Sequence, residues 1–371
     1  MFEKKHVLNS HAFLCIIVLY LPFMKLSYAP YSLKFKHPFG LSYGSRTTTE
    51  VVYVKIKHDG LIGYGEAALP PYLGETQTSV IDFLNKAAVV LKGCKLPFLM
   101  EELINAIDNI APNNNAAKAC IDIALHDLLG KYLNKPVYAL LGLEKPESKN
   151  TSVTISIGEL NLIPEKLKEL EDYKILKIKL GNKNDTEIIE CIRANTDKPL
   201  VVDVNQGWTD KHKALEMIEW LNQKNVLFVE QPLAKNNYDD MAWLRECSPI
   251  AIIADESMLR FSDMDKIAHC FNGINLKLMK CTGLFEAVKI INYAKQKDLK
   301  INIGCMSESS CGIAAAAQLM QHADWIDLDG PLLINNNPFT GVNFIDGKLE
   351  INNEKGTGAE LVSKELNFVV A

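Results

Sequence analysis

The chain has 371 residues, 48% of them apolar and 23% charged, with a formal net charge of -5, enough material for a large core in one or two domains. The acidic balance and the lack of any block of basic residues count against a nucleic-acid partner and a polybasic membrane anchor. Nine cysteines, with no Cys-x-x-Cys pair or zinc spacing, read as reduced thiols packed as small apolar side chains and point to a reducing compartment.

Residues 1–29 carry Lys4 and Lys5, an apolar stretch from Ala12 to Phe23, and a Ser27-Tyr28-Ala29 triplet that resembles a signal-peptidase site. Pro30 after the scissile bond, Lys25 and Pro22 count against that use. The stretch is also too short to span a bilayer as a helix. Three readings stay open for residues 1–23: an upstream extension before a start at Met24, a signal or lipoprotein-like leader, and an anchored segment. The expected location is accordingly the cytoplasm, or outside it if residues 1–29 act as a signal peptide.

From Leu26 to Ile56 strand-like runs flank two turn-rich stretches, Pro38-Phe39-Gly40 and Tyr43-Gly44-Ser45-Arg46, and Gly60 with Gly63-Tyr64-Gly65 punctuates a hairpin. Helix-period patterns follow at roughly 76–92 and 98–109. A third helix, read as strongly amphipathic, runs from Asn115 to between Gly130 and Asn134. Residues 24–130 therefore predict a small α+β capping domain.

Beyond that point one unit repeats. Strand candidates occur at Val153–Ile157, Leu176–Leu180, Leu200–Val204, Leu227–Glu230, Ile252–Asp255, Ile274–Leu278, Ile301–Gly304 and Ile326–Leu328, with helical patterns in most gaps. Strands alternating with helices predict an α/β fold, a parallel sheet closed as a (β/α)8-type barrel over residues 131–345, with 346–371 as a C-terminal tail. The alternative, an open doubly wound sheet, lacks a Gly-x-Gly-x-x-Gly turn after its first strand.

Catalytic groups of such barrels stand at the C-terminal ends of the strands. Here those positions hold Lys179, Asp203 with Asn205, Glu230, Asp255 with Glu256, Lys277, Cys305 with Met306, and Asp327 with Asp329. Asp203, Glu230 and Asp255 come from consecutive strands and would repel one another without a cation. Three carboxylates with no nearby histidine or thiolate suit Mg²⁺ or Mn²⁺ better than zinc. The alternative is an internal salt-bridge network with the lysines.

Lys177 and Lys179, two residues apart, share one strand face; by themselves they also fit a solvated edge strand. Lys179 and Lys277 come from opposite sides of the ring, which suits removal of a proton from one face of a carbon and its return on the other. A lysine base needs a pKa lowered to about 7–8. A metal beside it would stabilise the charge that develops when a proton leaves the carbon next to a carboxylate. Lys177 either touches the substrate carboxylate or only tunes its neighbour.

Lys177-Ile178-Lys179, Asp203-Val204-Asn205-Gln206-Gly207-Trp208, Glu230-Gln231-Pro232, Asp255-Glu256-Ser257 and Asn275-Leu276-Lys277-Leu278-Met279-Lys280 together resemble the enolase superfamily, over residues 24–371. The resemblance is to its muconate-lactonising subgroup, and within that to the dipeptide epimerases. Met306-Ser307-Glu308, where a histidine would stand, separates the chain from the mandelate-racemase type. The resemblance implies one Mg²⁺ per subunit, a small dipeptide substrate, a homo-oligomer, and 1,1-proton transfer at the Cα of the C-terminal residue. L-Ala-D-Glu from murein recycling is the first candidate and other dipeptides stay open.

It also implies that Asp327 and Asp329 hold the dipeptide's α-ammonium and that Thr154 and Cys305 line the pocket. Arg46, on a mobile cap loop, would fork onto a glutamate side chain, although one common pattern places that arginine where this chain has Gly44. Gly74-Glu75-Thr76 reads as a cap-loop turn over the substrate or a plain surface turn. Competing readings are o-succinylbenzoate synthase or another lyase of the superfamily, a Schiff-base aldolase using a strand lysine, and a non-catalytic binding protein.

Overall fold

A computed structural model describes residues 23–41, 44–92, 94, 100–155 and 160–371. The N-terminal stretch 1–22, Tyr43, positions 98–99 of the expected second helix and 156–157 of the first expected barrel strand lie outside the described residues.

The N-terminal part opens with β1 (Lys25–Leu41), β2 (Gly44–His58) and β3 (Leu61–Ala68), an antiparallel sheet in chain order. Between β2 and β3 the two-residue turn Asp59-Gly60 has φ of 46° and 78°, the doubly left-handed geometry that an Asp-Gly pair adopts readily in a tight hairpin. Helices α1 (Gln77–Lys92), α2 (Met100–Asp108) and α3 (Asn115–Leu133) follow. A Cβ at Gly63 would stand 2.0 Å from the Ala124 carbonyl oxygen, and one at Gly65 1.9 Å from that of Cys120. Glycine at both positions is what lets α3 lie with its backbone against β3.

The expected amphipathic character of α3 is corrected here: every residue from Ala116 to Leu128 is buried. Its polar side chains are satisfied by partners rather than by water, as described below.

The barrel runs β4 (Ser152–Ile155), α4 (Ile163–Glu169), β5 (Ile175–Lys179), α5 (Asp185–Arg193), β6 (Leu200–Asp203), α6 (Lys211–Asn222), β7 (Val226–Glu230) and α7 (Tyr238–Cys247). It continues with β8 (Ala251–Ala254), α8 (Met264–Cys270), β9 (Gly273–Leu276), α9 (Leu284–Gln296), β10 (Lys300–Gly304), α10 (Ser310–Ala317) and β11 (Trp325–Asp327). The eight strands pair in parallel in chain order, and a bridge between Thr151 and Ile326 brings the last beside the first. Val201, Phe228 and Ile253 form an apolar cluster of their own with Ile175, Ala251 and Trp325. Val201, Phe228, Ile253 and Trp325 each stand two residues before an acid at a strand end, hence on the same strand face. The barrel interior is thus an apolar floor under a charged rim.

Two buried carboxylates of the N-terminal part meet helix starts of this barrel. Glu66 of β3 accepts from Ser309 N at 2.9 Å, Ser309 Oγ at 2.6 Å and Gly312 N at 2.9 Å, at the start of α10. Asp122 of α3 accepts from Leu284 N at 2.5 Å and Phe285 N at 3.3 Å, at the start of α9. Both meet orphan amides at the positive end of a helix dipole. The chain end returns as well: Val369 and Val370 pair antiparallel with Tyr28 and Ser27 of β1. Among the described residues eight cysteines are free, Cys247 exposed and the others at least partly buried. No helix among those residues is long and apolar enough to cross a membrane.

Candidate active site

Parallel pairing in register sets Lys179 beside Asp203 and Asp203 beside Glu230, and Asp255 follows directly on β8. All three acids are buried, and one carboxylate oxygen from each lies within 4.8 Å of the others. Three converging carboxylates without a nitrogen or sulfur donor form a set that fits a hard divalent ion such as Mg²⁺.

Four buried lysines answer these acids. Lys177 Nζ lies 2.7 Å from Asp327 Oδ2, 2.9 Å from Glu230 Oε2 and 3.1 Å from Asp203 Oδ2. Lys179 Nζ donates to Asp203 Oδ2 at 2.5 Å. Across the ring, Lys277 Nζ donates to Asp255 Oδ2 at 2.8 Å and Lys280 Nζ to Asp255 Oδ1 at 2.6 Å. Asn275 Nδ2 donates to Glu230 Oε1 at 2.8 Å.

Burial pushes all three acids upward, and their neighbours decide the outcome. Lys179 and Lys177 bring Asp203 below the usual carboxylate range, and Lys277 and Lys280 hold Asp255 well below it. Glu230, where the charge of Asp203 adds to burial, is pushed up to about 8. The expected fall of a lysine toward neutrality is not what these acids impose on Lys277. Burial pulls it down, but Asp255, Tyr72 and Glu230 outweigh that and hold it well above the usual lysine range. A cation shared by the same carboxylates would take over the counter-charge that the lysines now supply.

Arg46, Thr154, Lys177, Lys179, Asp255, Lys277, Cys305, Asp327 and Asp329 line one pocket, closed on the N-terminal side by Pro70 and Tyr72. Asp327 also accepts from Ser152 Oγ at 2.8 Å, and Asp329 from Thr154 N at 2.8 Å. Burial and Asp327 push Asp329 up to about 6. Cys305 Sγ stands 4.0 Å from Asp329 Oδ1; burial, Asp329 and Glu308 raise its pKa well above the usual thiol value.

Arg46 needs a correction. It stands on β2, paired in register with Phe39, and not on a loop, with its guanidinium 5.9 Å from the Phe35 ring centre. Glu75, of the expected cap-loop turn, accepts from Ala116 N at 2.8 Å and Ala117 N at 3.1 Å, which ties that turn to the start of α3. Trp208 donates to Asp185 Oδ2 at 2.9 Å.

Three contributors went unassigned in the sequence. Tyr72 sits on a short turn of the N-terminal part, its hydroxyl 3.3 Å from Met306 Sδ. Asn275 and Lys280 both lie in the Asn-Leu-Lys-Leu-Met-Lys run, where a second lysine three residues after Lys277 was the available signal.

Comparison with known proteins places the chain among relatives. The family model "Mandelate racemase / muconate lactonizing enzyme, N-terminal domain" matches residues 28–142, and "Enolase C-terminal domain-like" matches residues 163–365. The L-Ala-D/L-Glu epimerase of Bacteroides thetaiotaomicron is 46% identical over 323 residues, covering 87% of this chain and 84% of that protein. The crystal structure of a dipeptide epimerase from Cytophaga hutchinsonii, complexed with Mg and D-Ala-L-Val, superposes with a TM-score of 0.89 at 28% identity, covering 94% of this chain and 99% of that one. A substrate-liganded L-Ala-D/L-Glu epimerase from Bacillus subtilis gives a TM-score of 0.86 at 25% identity over 91% of this chain and 99% of that one.

Proposed function

The chain belongs to the enolase-like mandelate racemase / muconate lactonizing enzyme family, and from that premise we propose that it is a Mg²⁺-dependent dipeptide epimerase interconverting L-Ala-D-Glu and L-Ala-L-Glu. The observation that carries this reading is the placement of Lys179 and Lys277 four strands apart in an eight-stranded ring, lining one pocket beside three buried carboxylates. The relatives named above support the choice of a dipeptide.

Asp203, Glu230 and Asp255 are the residues that would hold the ion, and it supplies positive charge where negative charge develops on the substrate carboxylate. One lysine, neutral, takes the proton from the Cα of the C-terminal residue. The other, as ammonium, returns a proton to the opposite face, and the roles exchange for the other epimer. Lys177, already shared among three carboxylates, keeps the ring ordered on the Lys179 side. Asp327 and Asp329 supply the seat for the substrate's α-ammonium, between Thr154 and Cys305. Arg46 serves the far carboxylate of a glutamate residue. We place the enzyme in the cytoplasm, in murein peptide recycling, and as a homo-oligomer; the free cysteines support a reducing compartment.

The test is a dipeptide library incubated in D₂O and read by mass spectrometry, with Lys179→Ala and Lys277→Ala alongside. One deuterium at the Cα of the C-terminal residue, with interconversion lost in both variants, is the expected result. Absence of exchange from every dipeptide, or a borohydride-trapped adduct on either lysine, overturns it.

A further inference from the structure

Lys280 is fully buried, yet it is not among the residues that line the pocket. Its ammonium meets Asp255 Oδ1 at 2.6 Å, the Asp255 carbonyl oxygen at 2.7 Å and the Asn275 carbonyl oxygen at 2.8 Å. A lysine has three N–H donors, so all of them are committed and none is left for a substrate. The turn that brings it there is local: Lys280 N donates to the Lys277 carbonyl at 3.0 Å. Lys280 thus occupies one oxygen of Asp255 and leaves Oδ2 to Lys277.

On the opposite side of the ring two lysines also meet one carboxylate, here through a single oxygen, Asp203 Oδ2. Lys177 donates to Asp327 and Glu230 and lies 3.1 Å from Asp203 Oδ2, while Lys179 has Asp203 alone among the salt-bridge partners. Lys179 and Lys277 therefore each share one carboxylate with a second lysine that is anchored to further acceptors. Lys179 has Lys177 in this place, and Lys277 has Lys280.

We infer that Lys280 is a positioning residue for the Lys277 half of the site, fixing the orientation of Asp255 and, through it, of the Lys277 ammonium. The inference rests on the two-lysine epimerase reading, and it separates Lys280 from a residue that only fills the core. A core residue would serve both faces of the substrate alike; a positioning residue for Lys277 serves one.

The experiment uses the full chain loaded with Mg²⁺ and measures exchange of the α-hydrogen in D₂O from each epimer of Ala-Glu separately. Lys179→Ala and Lys277→Ala assign each epimer to the lysine that deprotonates it. In Lys280→Met, exchange from the epimer assigned to Lys277 is expected to fall by at least about ten-fold more than exchange from the other. The Mn²⁺ EPR line shape, read without substrate, is expected to change with it as Asp255 loses its fixed orientation. An equal fall from both epimers, no fall, or an unchanged line shape overturns the inference. If Lys280→Met does not fold, Lys280→Arg, which keeps the charge and displaces the donors, is read by the same criteria. Wild-type protein that exchanges neither epimer overturns the epimerase reading itself.

Discussion

Gly304→Ala tests whether the carboxylate cluster depends on groups that never touch the pocket. Gly304 ends β10, and a Cβ there would stand 2.3 Å from Asn275 Oδ1 and 3.0 Å from Asn275 Nδ2, where ordinary contact begins at 3.4 Å. Gly304 is not among the residues with positive φ, so backbone strain adds nothing, and the three nearest atoms the methyl would meet all belong to Asn275. That side chain is fully buried, and it must retreat by roughly 1 Å, which breaks its 2.8 Å hydrogen bond to Glu230 Oε1. A hydrogen bond to an acceptor that is charged, as Glu230 would be when holding the ion, contributes about 1.5–3 kcal/mol, a factor of roughly 10 to 150 in an equilibrium constant. Displaced support behind a metal ligand typically weakens metal binding by about 10- to 100-fold. We expect the Mn²⁺ dissociation constant, measured by EPR titration, to rise by that factor, and activity to return largely at saturating Mg²⁺. Mn²⁺ affinity within about two-fold of wild type in a folded Gly304→Ala protein refutes the reasoning.

Exhaustive EDTA treatment is expected to abolish α-hydrogen exchange and added Mg²⁺ to restore it; exchange that survives chelation contradicts the assignment of Asp203, Glu230 and Asp255. Burial lowers the pKa of His126, but the Asp122 carboxylate and carbonyl, at 3.3 and 2.9 Å, outweigh it and raise it. A raised folded-state value stabilises fully below the unfolded pKa of about 6.5 and is lost as pH rises through the folded value. The melting-temperature gap between wild type and His126→Gln should therefore narrow from pH 6 toward pH 9; a gap that stays constant or widens rules this out. Arg46→Lys is expected to raise KM for Ala-Glu by about ten-fold while leaving Ala-Ala unaffected, as forked recognition is lost. Equal effects on both dipeptides would remove Arg46 from specificity.

The rim was legible because period two in a strand carries a side chain to a predictable face. Val201, Phe228, Ile253 and Trp325 point where the acids two residues later point, so apolar strand runs ending in Asp or Glu announce both floor and site. Helix α3 misled for a physical reason. Lys118, Asp122, His126 and Asp127 give it the appearance of a solvated stripe, but Lys118 pairs with Asp108, Asp122 with α9 and His126, and Asp127 with Lys131, Tyr64 N and Thr357 N. Periodicity shows that a face is polar and does not show what meets it. Lys280 escaped notice because it lies four residues beyond the end of β9, where strand alternation no longer predicts direction, whereas Lys277 follows the strand directly. The balance at Lys277 was out of reach for a similar reason, since it depends on how many carboxylates converge.

Glu66 and Asp122 have a consequence for anyone who recombines these enzymes. The N-terminal part carries Arg46 and Tyr72, the barrel carries the lysines and acids, and the two are keyed together at the helices following the strands of Lys277 and Cys305. A cap transplanted from a relative that lacks acids at those two positions would leave the helix-start amides at 284–285 and 309–312 without these acceptors. Chimaeras should therefore be cut so that residues 66 and 122 travel with the helix starts at 284 and 309–312 as matched sets.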